Sequence, residues 1–281
     1  MKLSFSVLSG IIQGIAEFLP ISSSGHLSIF QNIFGMSDGS AITAFNVLLH
    51  AGTLIAVFVV YWRDIFALIP AFFSLCKKIF QKKFGFRYYT ESERLLILMV
   101  IATIPLIVIA LTGLDDYLEK VNGCLWAIGL ILVFNGFVLF VSDRVGKQNI
   151  SIGQLKPSRA FGVGLCQMCA LLPGLSRSGS TITGGLLCGL ERESAVKFSF
   201  MLSIPAILGA CVLELPDLFS GQSAIASSQW GIYLIGAAVA AVVGVLAMKL
   251  LQYISRKANF SMFSFYCFAV GAFALIYDLV R

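Results

Sequence analysis

Two short polar strings interrupt otherwise apolar sequence. One reads Gln13-Gly-Ile-Ala-Glu17-Phe-Leu-Pro20-Ile-Ser22-Ser23-Ser24-Gly25-His26, the other Gln167-Met-Cys-Ala-Leu-Leu-Pro173-Gly174-Leu-Ser176-Arg177-Ser178-Gly179-Ser180-Thr181. Gln13 to Ser22 is the same step as Gln167 to Ser176, and in each string the serines follow a proline. The first string holds an acid and a histidine, the second an arginine. An ionisable group at bilayer depth is costly and rare, so it marks a functional site by default. Complementary charges in two copies of one motif point to a single site assembled from two halves.

Each residue type suggests a chemistry and a plainer alternative. Gln13 and Glu17 share a face on a helix. A carboxylate and an amide oxygen together help hold a hard divalent cation, Mg²⁺ or Ca²⁺, with water and phosphate oxygens completing the shell. The alternative is a structural carboxylate paired with Arg177. Ser22, Ser23 and Ser24 follow Pro20, where a helix start exposes backbone N–H groups and hydroxyls add donors, making an anion cradle. A serine close to His26 is also the minimal kit for a nucleophile and its base. Such serines can instead simply satisfy backbone groups freed by the break.

Arg177 is the more specific signal. Its planar fork suits bidentate phosphate contacts. Ser176, Ser178, Ser180 and Thr181 surround it with hydroxyls, and Gly174 and Gly179 allow close backbone approach. A cation on a transferring phosphoryl group stabilises developing charge. A buried Arg–Glu pair alone leaves the hydroxyls unexplained. His50, in Asn46-Val-Leu-Leu-His50, either lines the same cavity or caps an interfacial helix end.

The elements that must carry these groups follow from composition. The chain has 281 residues, 58% hydrophobic and only 12% charged, with a mean hydropathy of +0.91. That is an all-α polytopic membrane protein. The net charge of +6 then reflects cytoplasmic loops and not nucleic-acid binding. Cysteines 76, 124, 166, 169, 188, 211 and 267 mostly sit in apolar runs as small buried hydrophobes. Cys166-x-x-Cys169 lacks the βαβ surroundings of a redox pair. Gln13 and Glu17 interrupt the first apolar stretch and no clear cleavage site follows, so the N-terminus is expected to be retained.

Stretches of about 20 apolar residues, enough to span a bilayer, fall near 42–62, 94–114, 123–142, 194–215, 229–250 and 262–280. The motif segments, roughly 4–34 and 159–190, each have an apolar half, a Pro/Ser/Gly break and a shorter apolar half. Broken backbone at membrane depth is tolerated only when buried in protein or lining a wet cavity. Each therefore reads as a re-entrant helical hairpin. Hairpin plus three spans occurs twice within one membrane domain over 1–281, at about 4–142 and about 159–280. Three crossings is odd, so the second copy is inverted, as in other proteins with midplane sites made from discontinuous helices.

Loop charge agrees with that topology. Arg63, Lys77, Lys78, Lys82, Lys83, Arg87 and Arg94, then Arg144, Lys147, Lys156 and Arg159, then Arg256 and Lys257, all fall on one face, which the positive-inside rule makes cytoplasmic. The other face holds Asp115, Asp116, Glu119, Asp217 and Asp278 against Lys2, Lys120 and Arg281, and carries both termini. Ile65, Phe66, Leu68, Ile69, Phe72 and Phe73 precede the lysine cluster as an interfacial amphipathic segment.

The two strings resemble those of a known family, the undecaprenyl-diphosphatases, the bacitracin-resistance phosphatases of bacterial membranes. The family's first motif is Glu/Gln-x-x-x-Glu with Phe-Leu-Pro-x-Ser-Ser-x-Gly-His, matched by Gln13 to His26. Its second is Pro-Gly-x-Ser-Arg-Ser-Gly-x-Thr, matched by Pro173 to Thr181. Similarity also covers Phe45 to Thr53 and Phe198 to Pro205. The resemblance implies a cell-membrane enzyme that hydrolyses a C55 polyprenyl diphosphate to the monophosphate, recycling the carrier for peptidoglycan synthesis. It implies a site opening on the outer face and leaves a homodimer open. It gives Glu17 and Gln13 the metal-associated position and sets Arg177 on the diphosphate. Ser23 and His26 become the candidates for nucleophile and acid/base partner, in either order. Glutamine at position 13 brings less negative charge than the family's glutamate. The chief rival is a secondary transporter or lipid flippase, whose anatomy also uses inverted repeats. Type-2 phosphatidic acid phosphatases share Ser-Gly-His but need an upstream Lys-x6-Arg-Pro string that is missing here.

Overall fold

The computed structural model describes residues 1–36, 40–82, 85–113, 118, 120–144, 149–219, 229–257 and 259–280. Asp115, Asp116, Glu119, Lys83, Lys147 and Arg281 lie outside them, as do the side chains of Arg87, Lys120 and Asp217. Eleven helices run along the described chain: α1 (Leu3–Phe18), α2 (Ser23–Ile33), α3 (Ser40–Val60), α4 (Trp62–Phe80), α5 (Glu91–Thr112), α6 (Leu125–Ser142), α7 (Pro157–Cys169), α8 (Arg177–Leu187), α9 (Arg192–Phe219), α10 (Trp230–Lys257) and α11 (Ser261–Val280). The one extended pairing among the described residues is a parallel bridge between Ile150 and Leu190.

Six helices, α3, α5, α6, α9, α10 and α11, are long and apolar enough to cross a membrane, close to their expected places except that α10 runs seven residues past 250 and takes Arg256 and Lys257, expected in a loop, into its last turn. The chain is a multi-pass membrane protein. The motif helices are different. The longest, α1, has 16 residues, about 24 Å at 1.5 Å per residue, against a hydrocarbon core of about 30 Å. Each pair folds back on itself. Phe5 near the start of α1 stacks on Phe30 near the end of α2, with ring centroids 5.1 Å apart. Arg159 in α7 donates to the Cys188 carbonyl just past α8 at 3.0 Å.

The hairpins pack across the halves of the chain. α1 lies along α10 and α7 along α5, while α6 pairs with α11. Small residues permit this closeness. A Cβ at Gly14 would stand 2.8 Å from the Ala240 carbonyl of α10, and one at Gly164 of α7 would meet the Ala102 carbonyl of α5 at 2.4 Å.

Polar contacts gather the helix ends into two sets. Ser6 donates to the Ile232 carbonyl and Tyr233 to the Ala41 carbonyl, so α1, α3 and α10 begin together. Elsewhere, Asp143 after α6 accepts from Arg192 at 3.0 Å and from the Ser261 backbone N–H at 2.7 Å. Arg256 pairs with Glu193, and Lys197 with Asp64. Arg94, expected in a loop, lies in the first turn of α5 and donates to the Gly153 carbonyl at 2.9 Å.

The amphipathic segment forms α4. Ile65 and Leu68 pack against the main core, while Phe66, Ile69, Phe72 and Phe73 are exposed. Its Lys78 bonds both carboxylate oxygens of Glu93, at 2.8 and 2.7 Å, and Glu93 also closes the capping box of α5 with Thr90. Burial of the cysteines is a correction. Only Cys267 is buried, and Cys124 and Cys169 are exposed. Cys124 precedes α6 and Cys169 ends α7, and apolar sequence around a helix end does not mean protein burial.

Candidate active site

The two breaks meet at the centre of the molecule. After α1 the chain turns through Ser22, whose φ of 75° is rare for a side-chain-bearing residue and costs on the order of 1–3 kcal/mol. Its hydroxyl accepts from the Gly25 N–H at 3.2 Å and so caps α2. The second break turns through Gly174 at φ 97°, a conformation glycine takes without penalty. Ser176 caps α8 by accepting from the Gly179 N–H at 3.1 Å. The two caps leave the first turns of α2 and α8, with their outward backbone N–H groups and positive dipole ends, beside one another.

Cross-links hold the breaks in register. The Gly174 N–H donates to Ser24 Oγ at 3.3 Å, and Ser178 Oγ donates to the Leu19 carbonyl at 3.0 Å. Asn135, fully buried in α6, ties both. Its Nδ2 donates to the Pro20 carbonyl at 3.0 Å, and its Oδ1 accepts from the Ser176 N–H at 3.2 Å. Hydrogen bonds between two broken segments and one amide fix the relative placement of everything they carry.

What they carry first is a salt bridge between the halves. Arg177 Nη2 donates to Glu17 Oε1 at 2.9 Å. Glu17 Oε2 accepts from Ser23 Oγ at 2.8 Å and from Gln13 Nε2 at 3.0 Å. The same Gln13 nitrogen lies 3.0 Å from His50 Nδ1, and that ring nitrogen is 3.4 Å from Glu17 Oε2. Behind Arg177, Thr181 Oγ1 donates to the Arg177 carbonyl at 2.8 Å and shares a 2.6 Å contact with Ser199 Oγ. Ser180 is buried beside it on α8.

Glu17, Ser23, Ser24, His50, Ser176 and Arg177 line one cavity of about 680 Å³. Much of the remaining wall is apolar, with Leu27, Ile42, Val47, Leu106, Ile207 and Ala210. Gln31, Asn32, Thr43 and Asn46 add polar groups to it, and a lining that mixes polar and apolar surface suits an amphiphile with an anionic head. The carboxylate is placed to take a proton from the Ser23 hydroxyl, and the guanidinium to hold negative charge beside it.

The expected residues are thus not all in one place. Gln13, Glu17, Ser23 and Arg177 come together, with Ser24 and Ser176 on the same wall. Ser22, Ser178, Gly174, Gly179 and Thr181 build the turns around them. His26 faces elsewhere. Its Nδ1 lies 2.8 Å from the Ser22 carbonyl and its Nε2 2.9 Å from Tyr266 Oη, with the two rings stacked at 5.5 Å. The imidazole beside Glu17 is that of His50. Asn135 and Tyr266 went unnoticed in the sequence, and Gln167, which opens the second string, was given no role there. A lone amide within the apolar run of α6 was the available signal for Asn135.

Among the described residues no group of three or more His, Cys, Asp or Glu is arranged around a metal position. A divalent cation therefore fits only with the help of substrate oxygens. One observation favours it. Gln13 Oε1 is buried with no hydrogen-bond partner among the described residues, on the amide whose nitrogen meets the Glu17 carboxylate.

A model of the family described as bacitracin resistance protein BacA matches residues 6–273. The undecaprenyl-diphosphatase of Rhodopirellula baltica is 40% identical, with 97% of each chain covered. That of Methanobrevibacter smithii is 38% identical over 96% of each chain, and that of Halothermothrix orenii 36% identical over 98% of each.

Proposed function

The chain belongs to the bacitracin resistance protein BacA family, and on that premise we propose that it hydrolyses undecaprenyl diphosphate to undecaprenyl phosphate and inorganic phosphate. The observation that carries this reading is the 2.9 Å contact of Glu17 with Arg177, made between the two halves on the wall of a cavity lined by both polar and apolar residues. A polyprenyl diphosphate needs that combination: hydroxyls and a cation for the head, and a lipid-compatible wall for the tail.

Ser23 is the nucleophile. Its Oγ attacks the terminal phosphorus while Glu17 Oε2, already 2.8 Å away, accepts its proton. The bond from phosphorus to the bridging oxygen breaks, and undecaprenyl phosphate departs with the proton that Glu17 returns to it. A water then attacks the phosphoserine. Glu17 takes the water's proton and delivers it to Ser23 Oγ as inorganic phosphate leaves. Arg177 holds the equatorial oxygens throughout, and the N-termini of α2 and α8 add backbone donors aimed at the same charge. A site of fixed donors costs no reorganisation at the moment of reaction. His50 lies beside Glu17 on the wall of the same cavity. His26 acts through the turn. Its ring, anchored by Tyr266, fixes the Ser22 carbonyl and hence the start of α2. A divalent cation held by Glu17 and Gln13 would supply further neutralisation of phosphate charge.

The two segments, about 4–142 and 159–280, are inverted repeats of one membrane domain. Two features support this: the exchanged packing of α1 on α10 and α7 on α5, and the grouping of the starts of α1, α3 and α10 apart from the Asp143–Arg192 cluster. Loop charge sets that cluster on the cytoplasmic side of the cell membrane and both termini outside.

The test is phosphate release from a polyprenyl diphosphate by purified protein in detergent, with and without chelator. Release without any gradient is expected, together with phosphate trapped on Ser23 after rapid acid quench. No release, combined with gradient-driven lipid movement in vesicles, would hand the site to the flippase reading.

A further inference from the structure

Gln167 has no role in the reaction as written above, yet its surroundings are unusual. It is 1% exposed on α7 and lines the cavity that Glu17 and Arg177 share. Neither its Oε1 nor its Nε2 has a hydrogen-bond partner among the described residues. Buried side-chain amides are nearly always paired, and an unpaired one destabilises the fold that contains it. The other unpaired buried groups are single hydroxyls of Ser9, Thr183 and Ser264 and one oxygen of Gln13. Gln167 leaves a whole amide unsatisfied.

Its counterpart shows the alternative. Gln13 precedes Ser22 by the step that separates Gln167 from Ser176, and its Nε2 is engaged by Glu17 and His50. In the second hairpin Leu171 stands where the first has Glu17. The glutamine is kept and the acid that would pair with it is not. Nearby cavity residues Ala170, Leu171 and Pro173 bring no side-chain polar group. An amide kept at this depth without a protein partner, on the wall of a substrate cavity, has its partner in the substrate.

We infer that Gln167 is a substrate-contacting residue whose amide N–H groups donate to the diphosphate head group. This rests on the phosphatase reading. The amide adds donors without charge to the cavity that Arg177 also lines. Glu17 and Ser23 act on the terminal phosphate, so a neutral donor from the second hairpin helps hold the head in line without competing for the proton.

The experiment compares the full chain with Gln167→Met, Gln167→Asn and Gln167→Glu in detergent. Two readouts are taken: steady-state hydrolysis of a polyprenyl diphosphate, and thermal melting with and without inorganic pyrophosphate. Gln167→Met removes the unpaired amide at similar volume, so without ligand it should melt above wild type. Its KM should rise about tenfold, the worth of one good hydrogen bond, with kcat changed less, and pyrophosphate should protect it less. Gln167→Asn, too short to reach, should raise KM similarly. Gln167→Glu should raise it further by placing a second carboxylate against the anion. A Gln167→Met protein with wild-type KM and wild-type pyrophosphate protection overturns the inference, as does one that melts lower while KM stays unchanged. Were wild type to release no phosphate, the parent reading would fail, and the pyrophosphate arm would still decide whether Gln167 touches the anion.

Discussion

Ser22 and Ser176 do the same work in their two hairpins, each capping the short helix that follows its break. One position later the hairpins part company, with Ser23 in the first and Arg177 in the second, each opening its helix. Glu17 in the first is matched by Leu171 in the second. The shared positions are those that shape backbone and expose N–H groups. The differing ones put the acid and its serine in one half and the guanidinium in the other.

That contrast breaks most visibly at the charges. Glu17→Gln and Arg177→Gln should each lower kcat/KM by about a thousandfold or more, since each removes a group acting on the developing charge. Steady-state phosphate release measures both. Removing either partner strands the other in a buried site and should cost about 3–5 kcal/mol of stability. The double variant should therefore melt above the weaker single one, and additive melting losses would mean the pair is not coupled.

A smaller effect is expected at the serines of the two breaks. Ser23→Ala should abolish acid-stable phosphoenzyme and reduce turnover by about a hundredfold or more. Ser178→Ala, which leaves the Leu19 carbonyl short of one donor, should cost only about 1 kcal/mol of stability. Equal catalytic loss in both would dissolve the division of labour. Asn135→Ala removes the amide bonded to both breaks. It should lower stability by about 1–3 kcal/mol, read as a melting-temperature drop of roughly 3–10 °C, and turnover should fall with it. His26→Ala and Tyr266→Phe sharpen the comparison most finely. If the ring acts through the Ser22 turn, both should reduce turnover by similar factors, roughly tenfold or less. Full activity in Tyr266→Phe beside complete loss in His26→Ala would move the imidazole into the reaction itself.

The six spans and two hairpins were legible because lipid demands long apolar runs and punishes unpaired backbone. Proline, serine and glycine inside such runs leave little choice of structure. The pairing of Glu17 with Arg177 was legible for the same reason: each charge needed a partner, and the other motif offered one. The two histidines were not distinguishable. His26 lies within a motif and His50 does not, yet which imidazole meets Glu17 depends on how α3 sits against α1, and apolar periodicity fixes that only loosely. Tyr266 was hidden because an aromatic in an apolar span reads as ordinary lipid contact. Asn135 and Gln167 are neutral, so neither raised the alarm a charge does.

The packing of α1 on α10, tight enough to leave no room for a Cβ at Gly14, bears on how the chain is made. Translation delivers Glu17 long before Arg177, and the first hairpin's closest neighbour is among the last helices to leave the ribosome. A growing chain must therefore shelter an unneutralised carboxylate and an unburied glycine seam until nearly all of it has been inserted. Fragments carrying the first half alone are expected to be held by insertion chaperones or cleared by membrane proteases, and co-expression of the second half should rescue them.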